Sequence, residues 1–91
     1  MSILVRFNPS SLTAEQYDES IKRISDNNVD MSGAEYHVCY GSDGDLSVIE
    51  VWSSREEFDA FGEKLMPILD EVGIAFSGPP EISEVHNSMK P

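Results

Sequence analysis

The sequence predicts an α+β domain whose elements run β-α-β-β-α-β, and three observations carry that reading. Residues 35–52 read as a β-hairpin; two stretches open with helix-capping signatures and continue with apolar residues at helical spacing; and a short strand-like run stands near each end of the chain.

Residues 2–7 (Ser-Ile-Leu-Val-Arg-Phe) form the first strand, which Asn8-Pro9-Ser10-Ser11 stops, because proline cannot donate to a strand ladder. Thr13 and Gln16 then make a capping box, Leu12 and Tyr17 are spaced as a hydrophobic staple, and Tyr17, Ile21 and Ile24 recur at helical intervals. Glu15, Glu19, Lys22 and Arg23 give this first helix a wet face, Asn27-Asn28 ends it, and residues 29–33 lead into the hairpin.

Asp43-Gly44 supplies the positive φ angles of a two-residue type I′ turn, with Ser42 closing against Asp45. The register then pairs Tyr40 with Ser47, Cys39 with Val48, Val38 with Ile49, His37 with Glu50, Tyr36 with Val51 and Glu35 with Trp52. Because strand side chains alternate, one face carries Glu35, His37, Cys39, Val48, Glu50 and Trp52, and the other Tyr36, Val38, Tyr40, Ile49 and Val51.

Ser54 and Glu57 make a second capping box directly after the hairpin, opening a helix with the apolar stripe Phe58, Phe61, Leu65, Leu69 and Val72. Gly73 caps its end, and Pro67 removes one internal hydrogen bond and should kink the last turns. After Gly78-Pro79-Pro80, residues 81–87 alternate weakly and complete the set as a fourth strand. This is the ferredoxin-like order, a four-stranded antiparallel sheet with both helices on one face. Residues 1–91 form a single domain of that kind. Two helices leave the other face bare, so Tyr36, Val38, Tyr40, Ile49 and Val51 are expected to meet a second copy in a homodimer.

Seventeen acidic residues against 6 basic ones give a formal net charge of -11, which repels phosphate backbones and anionic membranes; neither nucleic acid nor a membrane is an expected partner. The single cysteine, Cys39, excludes an internal disulfide and reads as a structural mid-strand thiol. With no signal-peptide pattern and no apolar run of membrane-spanning length, the expected compartment is the cytoplasm.

Glu50-Val51-Trp52-Ser53-Ser54, followed by Phe58 and Phe61, resembles the dimeric α+β barrel superfamily, in particular its antibiotic biosynthesis monooxygenase-like group, where a strand ending Glu-x-Trp-x-Ser runs straight into the second helix. The resemblance implies a homodimer whose sheets form a shared barrel, with a small cavity in each subunit between sheet and helices. Activities in the group include oxidation of aromatic polyketide-like substrates by molecular oxygen without metal or flavin, and haem degradation. Asn8 echoes the asparagine of the haem-degrading branch, but that branch depends on a histidine along the second helix, and this helix has none. No cofactor is therefore expected.

His37 opposite Glu50 is the sharpest chemical feature: an imidazole beside a carboxylate in an aromatic setting can hold a base near neutral pH. Such a base would take a proton from a phenolic or enolisable substrate while the carboxylate orients the ring. The same pair also reads as a cross-strand ion pair that satisfies two half-buried groups. Trp52, Phe58, Phe61 and Leu65 are candidates to line an aromatic-binding cavity of a few hundred cubic ångströms, Arg6 to anchor an anionic substrate group, and Asn8 to contact substrate. No metal-ligand spacing occurs, and His86 reads as surface or dimer rim. Two functions follow: a cofactor-independent monooxygenase acting on an aromatic or other hydrophobic metabolite, or a non-catalytic dimeric ligand-binding or scaffold module.

Overall fold

The computed structural model describes residues 1–91. Strands β1 (Ile3–Phe7), β3 (Ala34–Ser42), β4 (Asp45–Trp52) and β6 (Glu81–Glu84) form one antiparallel sheet in the order β3-β4-β1-β6. Helices α1 (Ala14–Asp26) and α2 (Arg55–Val72) pack on one face of it, as the ferredoxin-like order requires. Ile3, Val5, Val48 and Trp52 from the sheet meet Ile24 of α1 and Phe58, Phe61, Leu65, Ile68 and Leu69 of α2 in a single core. No helix is long and apolar enough to cross a membrane.

Helix α1 begins with both halves of the capping box: Gln16 N–H donates to Thr13 Oγ1 and Thr13 N–H to Gln16 Oε1, each at 3.0 Å. A third orphan donor, Ala14 N–H, reaches Asp43 Oδ1 across the hairpin at 2.9 Å, placing a carboxylate at the positive end of the helix. Ser20, not Ile21, is buried alongside Ile24, and Ile21 is 36% exposed. Ser20 tolerates burial because its hydroxyl donates to the Tyr17 carbonyl at 2.7 Å.

The hairpin has the expected register from Tyr36↔Val51 to Ser42↔Asp45, by a different turn. Gly44 has φ +88° whereas Asp43 stays outside the positive region, so the turn is not type I′; the hairpin's other positive φ, +107°, is at Gly41, in the ladder outside the loop. A Cβ on Gly41 would lie 2.9 Å from the Asp45 carbonyl oxygen, so only glycine fits. At the other end a bulge pairs Ala34 with Trp52, leaving Glu35 as the extra residue and turning it to solvent, where the Ser2 hydroxyl donates to its carboxylate. Glu35 therefore leaves the helix-side face where alternation had put it.

Ser54 accepts from Glu57 N–H at 3.1 Å at the start of α2, but the Glu57 carboxylate accepts from the hydroxyls of Ser53 and Ser54 instead of closing the second capping box. The helix continues through Pro67 to Val72 and ends at Gly73, φ +85°. The segment read as a plain stop after β1 contains a short strand, β2 (Pro9–Ser10), which pairs with β5 (Ala75–Phe76) in a ribbon separate from the main sheet. Strand β6 is shorter than the alternation suggested, because its partner β1 begins at Ile3; beyond Glu84 only Val85 N–H finds an acceptor, at Ser2 O.

A candidate acid-base site in an apolar cavity

The register puts His37 and Glu50 side by side under the helices, and α1 lays Tyr17 over them. His37 Nδ1 is 2.6 Å from Glu50 Oε2, His37 Nε2 is 2.7 Å from the Tyr17 hydroxyl, and Trp52 Nε1–H donates to Glu50 Oε1 at 2.9 Å. The four side chains make one continuous hydrogen-bonded chain, Trp52–Glu50–His37–Tyr17. Glu50 is 3% exposed, and the Tyr17 and His37 rings lie nearly parallel with centroids 5.9 Å apart.

Donor counting orders the protons. With Glu50 ionised, both its oxygens accept, so Nδ1 of His37 carries a hydrogen, and in the neutral ring Nε2 then accepts from Tyr17 O–H. Burial holds the Tyr17 phenol above its ordinary range, and its neighbours Cys39, Glu50 and Asp18 work in the same direction, so Tyr17 keeps its proton. Passing its proton to His37 Nε2 would leave Tyr17 an oxyanion beside the cavity and His37 an imidazolium held by Glu50.

That cavity measures about 60 Å³ and is lined by Tyr17, His37, Glu50, Phe61, Leu65 and Phe76 among mostly apolar neighbours. It is far smaller than the few hundred cubic ångströms expected. An apolar cavity of about 150 Å³ accommodates benzene, so an aromatic ligand needs this one to widen. A larger groove of about 420 Å³, bounded by Asp30, Gly33, Trp52, Glu57 and Lys64, touches neither His37 nor Glu50; both recesses are partly open to solvent.

Of the residues expected at the site, His37, Glu50, Phe61 and Leu65 line the cavity. Trp52 contributes only its indole N–H, through Glu50; its ring packs on Phe58 and Phe61, and Phe58 belongs to the core beneath. Arg6 does not approach: its alternation with Val5 and Phe7 turns it to the bare sheet face, where its guanidinium lies 3.9 Å from Glu81. Asn8 is also outside, its amide donating to the Pro79 carbonyl at 3.4 Å. Tyr17 is the site residue that sequence reasoning missed; its signal was its position on the apolar side of α1. Cys39 is half-buried beside this face, and burial, aided by Asp18, pushes its thiol up, as suits an unreactive thiol.

No family model and no curated protein matches the chain. Solved structures do. The monooxygenase from the gene ActVA-Orf6 of Streptomyces coelicolor, solved with the ligand Nanaomycin D, superposes with TM-score 0.55 at 16% identity, over 99% of this chain and 90% of that one. A Deinococcus radiodurans protein provisionally named an antibiotic biosynthesis monooxygenase gives 0.56 at 13% identity, over 100% and 98%. The chain has the antibiotic biosynthesis monooxygenase-like fold. The Rv0793 protein of Mycobacterium tuberculosis shares the same fold, with TM-score 0.55 at 16% identity over 98% and 95% of the two chains. The antibiotic biosynthesis monooxygenase-like fold explains why a cavity lies between sheet and helices; what the cavity does depends on its own residues.

Proposed function

We propose that the protein is a cytoplasmic, homodimeric, cofactor-independent monooxygenase acting on a phenolic or otherwise enolisable aromatic metabolite. The observation that supports it is the hydrogen-bonded chain Glu50–His37–Tyr17 ending at an apolar cavity. Tyr17 passes the substrate's hydroxyl proton to His37 Nε2 while Glu50 stabilises the imidazolium. The resulting phenolate carries carbanion character on its ring, and dioxygen adds there. The peroxide takes a proton back; loss of the ring C–H proton and cleavage of the O–O bond then leave a quinone carbonyl and water. For 1-naphthol, one molecule plus dioxygen gives 1,4-naphthoquinone plus water, so the substrate supplies every electron.

The bare sheet face supports the dimer. Tyr36, Val38 and Tyr40 are 42%, 45% and 42% exposed, with Leu4, Ile49 and Val51 half-buried around them. A second copy of the same face would cover this patch symmetrically.

Oxygen uptake with 1-naphthol tests the chemistry. Wild type is expected to consume dioxygen and place one labelled oxygen atom in the quinone, with His37→Ala inactive; binding without uptake removes the oxygenase reading. A non-catalytic dimeric ligand-binding or scaffold module is the second reading, favoured by the cavity of about 60 Å³ and by polar side chains that already satisfy one another.

A further inference from the structure

We infer that Phe76, carried on the β2–β5 ribbon, is the movable wall, and in that sense the door, of the partly open cavity, and the residue that decides how large an aromatic ring is seated there. The inference rests on the cavity being a ligand site, as proposed above. The pocket is open on one side but holds only about 60 Å³, less than a benzene ring takes, so seating a whole ring inside it moves a wall.

Most of the walls are fixed. Val48, Glu50 and His37 belong to paired strands, and Phe61, Leu65, Leu69 and Ile24 to helices packed in the core. Leu12 is held by Leu46 N–H donating to its carbonyl, and Ile74 by its N–H to Leu69 O. The loop bearing Met31 is tied at both ends, by Val29 N–H to Ile24 O and Ala34 N–H to Met31 O.

The ribbon is different. It has two residue pairs, Pro9↔Phe76 and Ser10↔Ala75, and Pro9 contributes no N–H. Beyond them it is held by Ser77, whose N–H and hydroxyl both donate to the Asn8 carbonyl, at 2.9 and 3.1 Å. Gly73, with φ +85°, and Gly78, where an added Cβ would meet nothing within 4 Å, stand at the two ends of residues 74–77. Phe76 is half-buried, lines the cavity and leans on the Phe7 ring at 6.3 Å. Swinging Ala75 to Ser77 outward would withdraw one phenyl ring from the cavity and break few hydrogen bonds. The space gained is that of a ring, which selects flat, uncharged arenes and phenols of one or two rings.

A reversible tether tests this within one protein. Ser10 and Ala75 are exposed, directly opposed partners, and such Cα pairs lie within disulfide reach. In a Cys39→Ser background, Ser10→Cys with Ala75→Cys is compared oxidised and reduced, with binding of 1-naphthol followed by its fluorescence. The oxidised form is expected to bind at least about tenfold more slowly than the reduced form, and Phe76→Ala to bind faster than wild type. Equal rates in the two redox forms would overturn the door while leaving the ligand site intact. If wild type binds no 1-naphthol up to its solubility, the ligand site and the door both fall. Binding that responds to the tether without oxygen uptake upholds the door and removes only the oxygenase chemistry.

Discussion

The Tyr17 hydroxyl sits 2.7 Å from Nε2 of His37, joining the first helix to the hairpin by a polar contact at the edge of an apolar cavity. Tyr17→Phe removes one oxygen atom and keeps the ring that stacks on His37. Oxygen uptake with 1-naphthol is expected to fall about 100-fold, as for loss of a positioned proton carrier, while the unpaired imidazole nitrogen costs about 1 kcal/mol in urea unfolding. Full activity in this variant would show that protons travel another way.

Raising pH tests the same hydroxyl. Because the folded protein holds the Tyr17 proton more tightly than the unfolded chain does, its contribution to stability is fully present below the ordinary tyrosine value of 10.0 and is lost as pH climbs through the higher folded value. Ultraviolet titration of tyrosinate should therefore contain a late component above the ordinary tyrosine range, absent from Tyr17→Phe.

Glu50 accepts from two partners, so its substitutions should separate fold from chemistry. Glu50→Ala strands the Trp52 N–H and His37 Nδ1–H and is expected to cost about 1–3 kcal/mol. Glu50→Gln keeps the volume, but an amide that donates to His37 Nδ1 forces the other tautomer. Stability should change less than in Glu50→Ala, and oxygen uptake should fall about 100-fold or more.

The tie between Asp43 and α1 is a structural device with its own test. Asp43→Ala removes the acceptor of Ala14 N–H and the charge at the helix start, and should lower stability by about 1 kcal/mol without altering 1-naphthol binding.

Val38 stands on the bare sheet face, on the edge strand β3, and is 45% exposed in the single chain. Val38→Lys should leave the subunit folded by circular dichroism and shift sedimentation equilibrium from dimer to monomer. Wild type sedimenting as a monomer would remove the dimer from the account.

The parts of this fold that were legible in advance are those set by local rules. The two-residue Asp43-Gly44 loop, with Ser42 closing against Asp45, put His37 opposite Glu50, and Thr13 with Gln16 marked the start of α1. What stayed hidden depends on how elements dock. Helical spacing turned Tyr17 inward, but its place over His37 follows from the position of α1 on the sheet, which no local pattern encodes. The Glu35 bulge arises where β3 leaves the loop, and the β2–β5 ribbon joins segments that lie 65 or more residues apart. Arg6 could not be phased from a strand with apolar residues in both alternating sets; pairing with Ile49 placed it outside.

The most direct measurement is ¹⁵N NMR of the His37 ring before and after saturation with 1-naphthol. Hydrogen on Nδ1 and none on Nε2 is expected, with the Nε2 resonance moving as the ligand's hydroxyl joins the chain through Tyr17. A hydrogen on Nε2 in the free protein, or a His37 ring indifferent to bound 1-naphthol, would contradict the account.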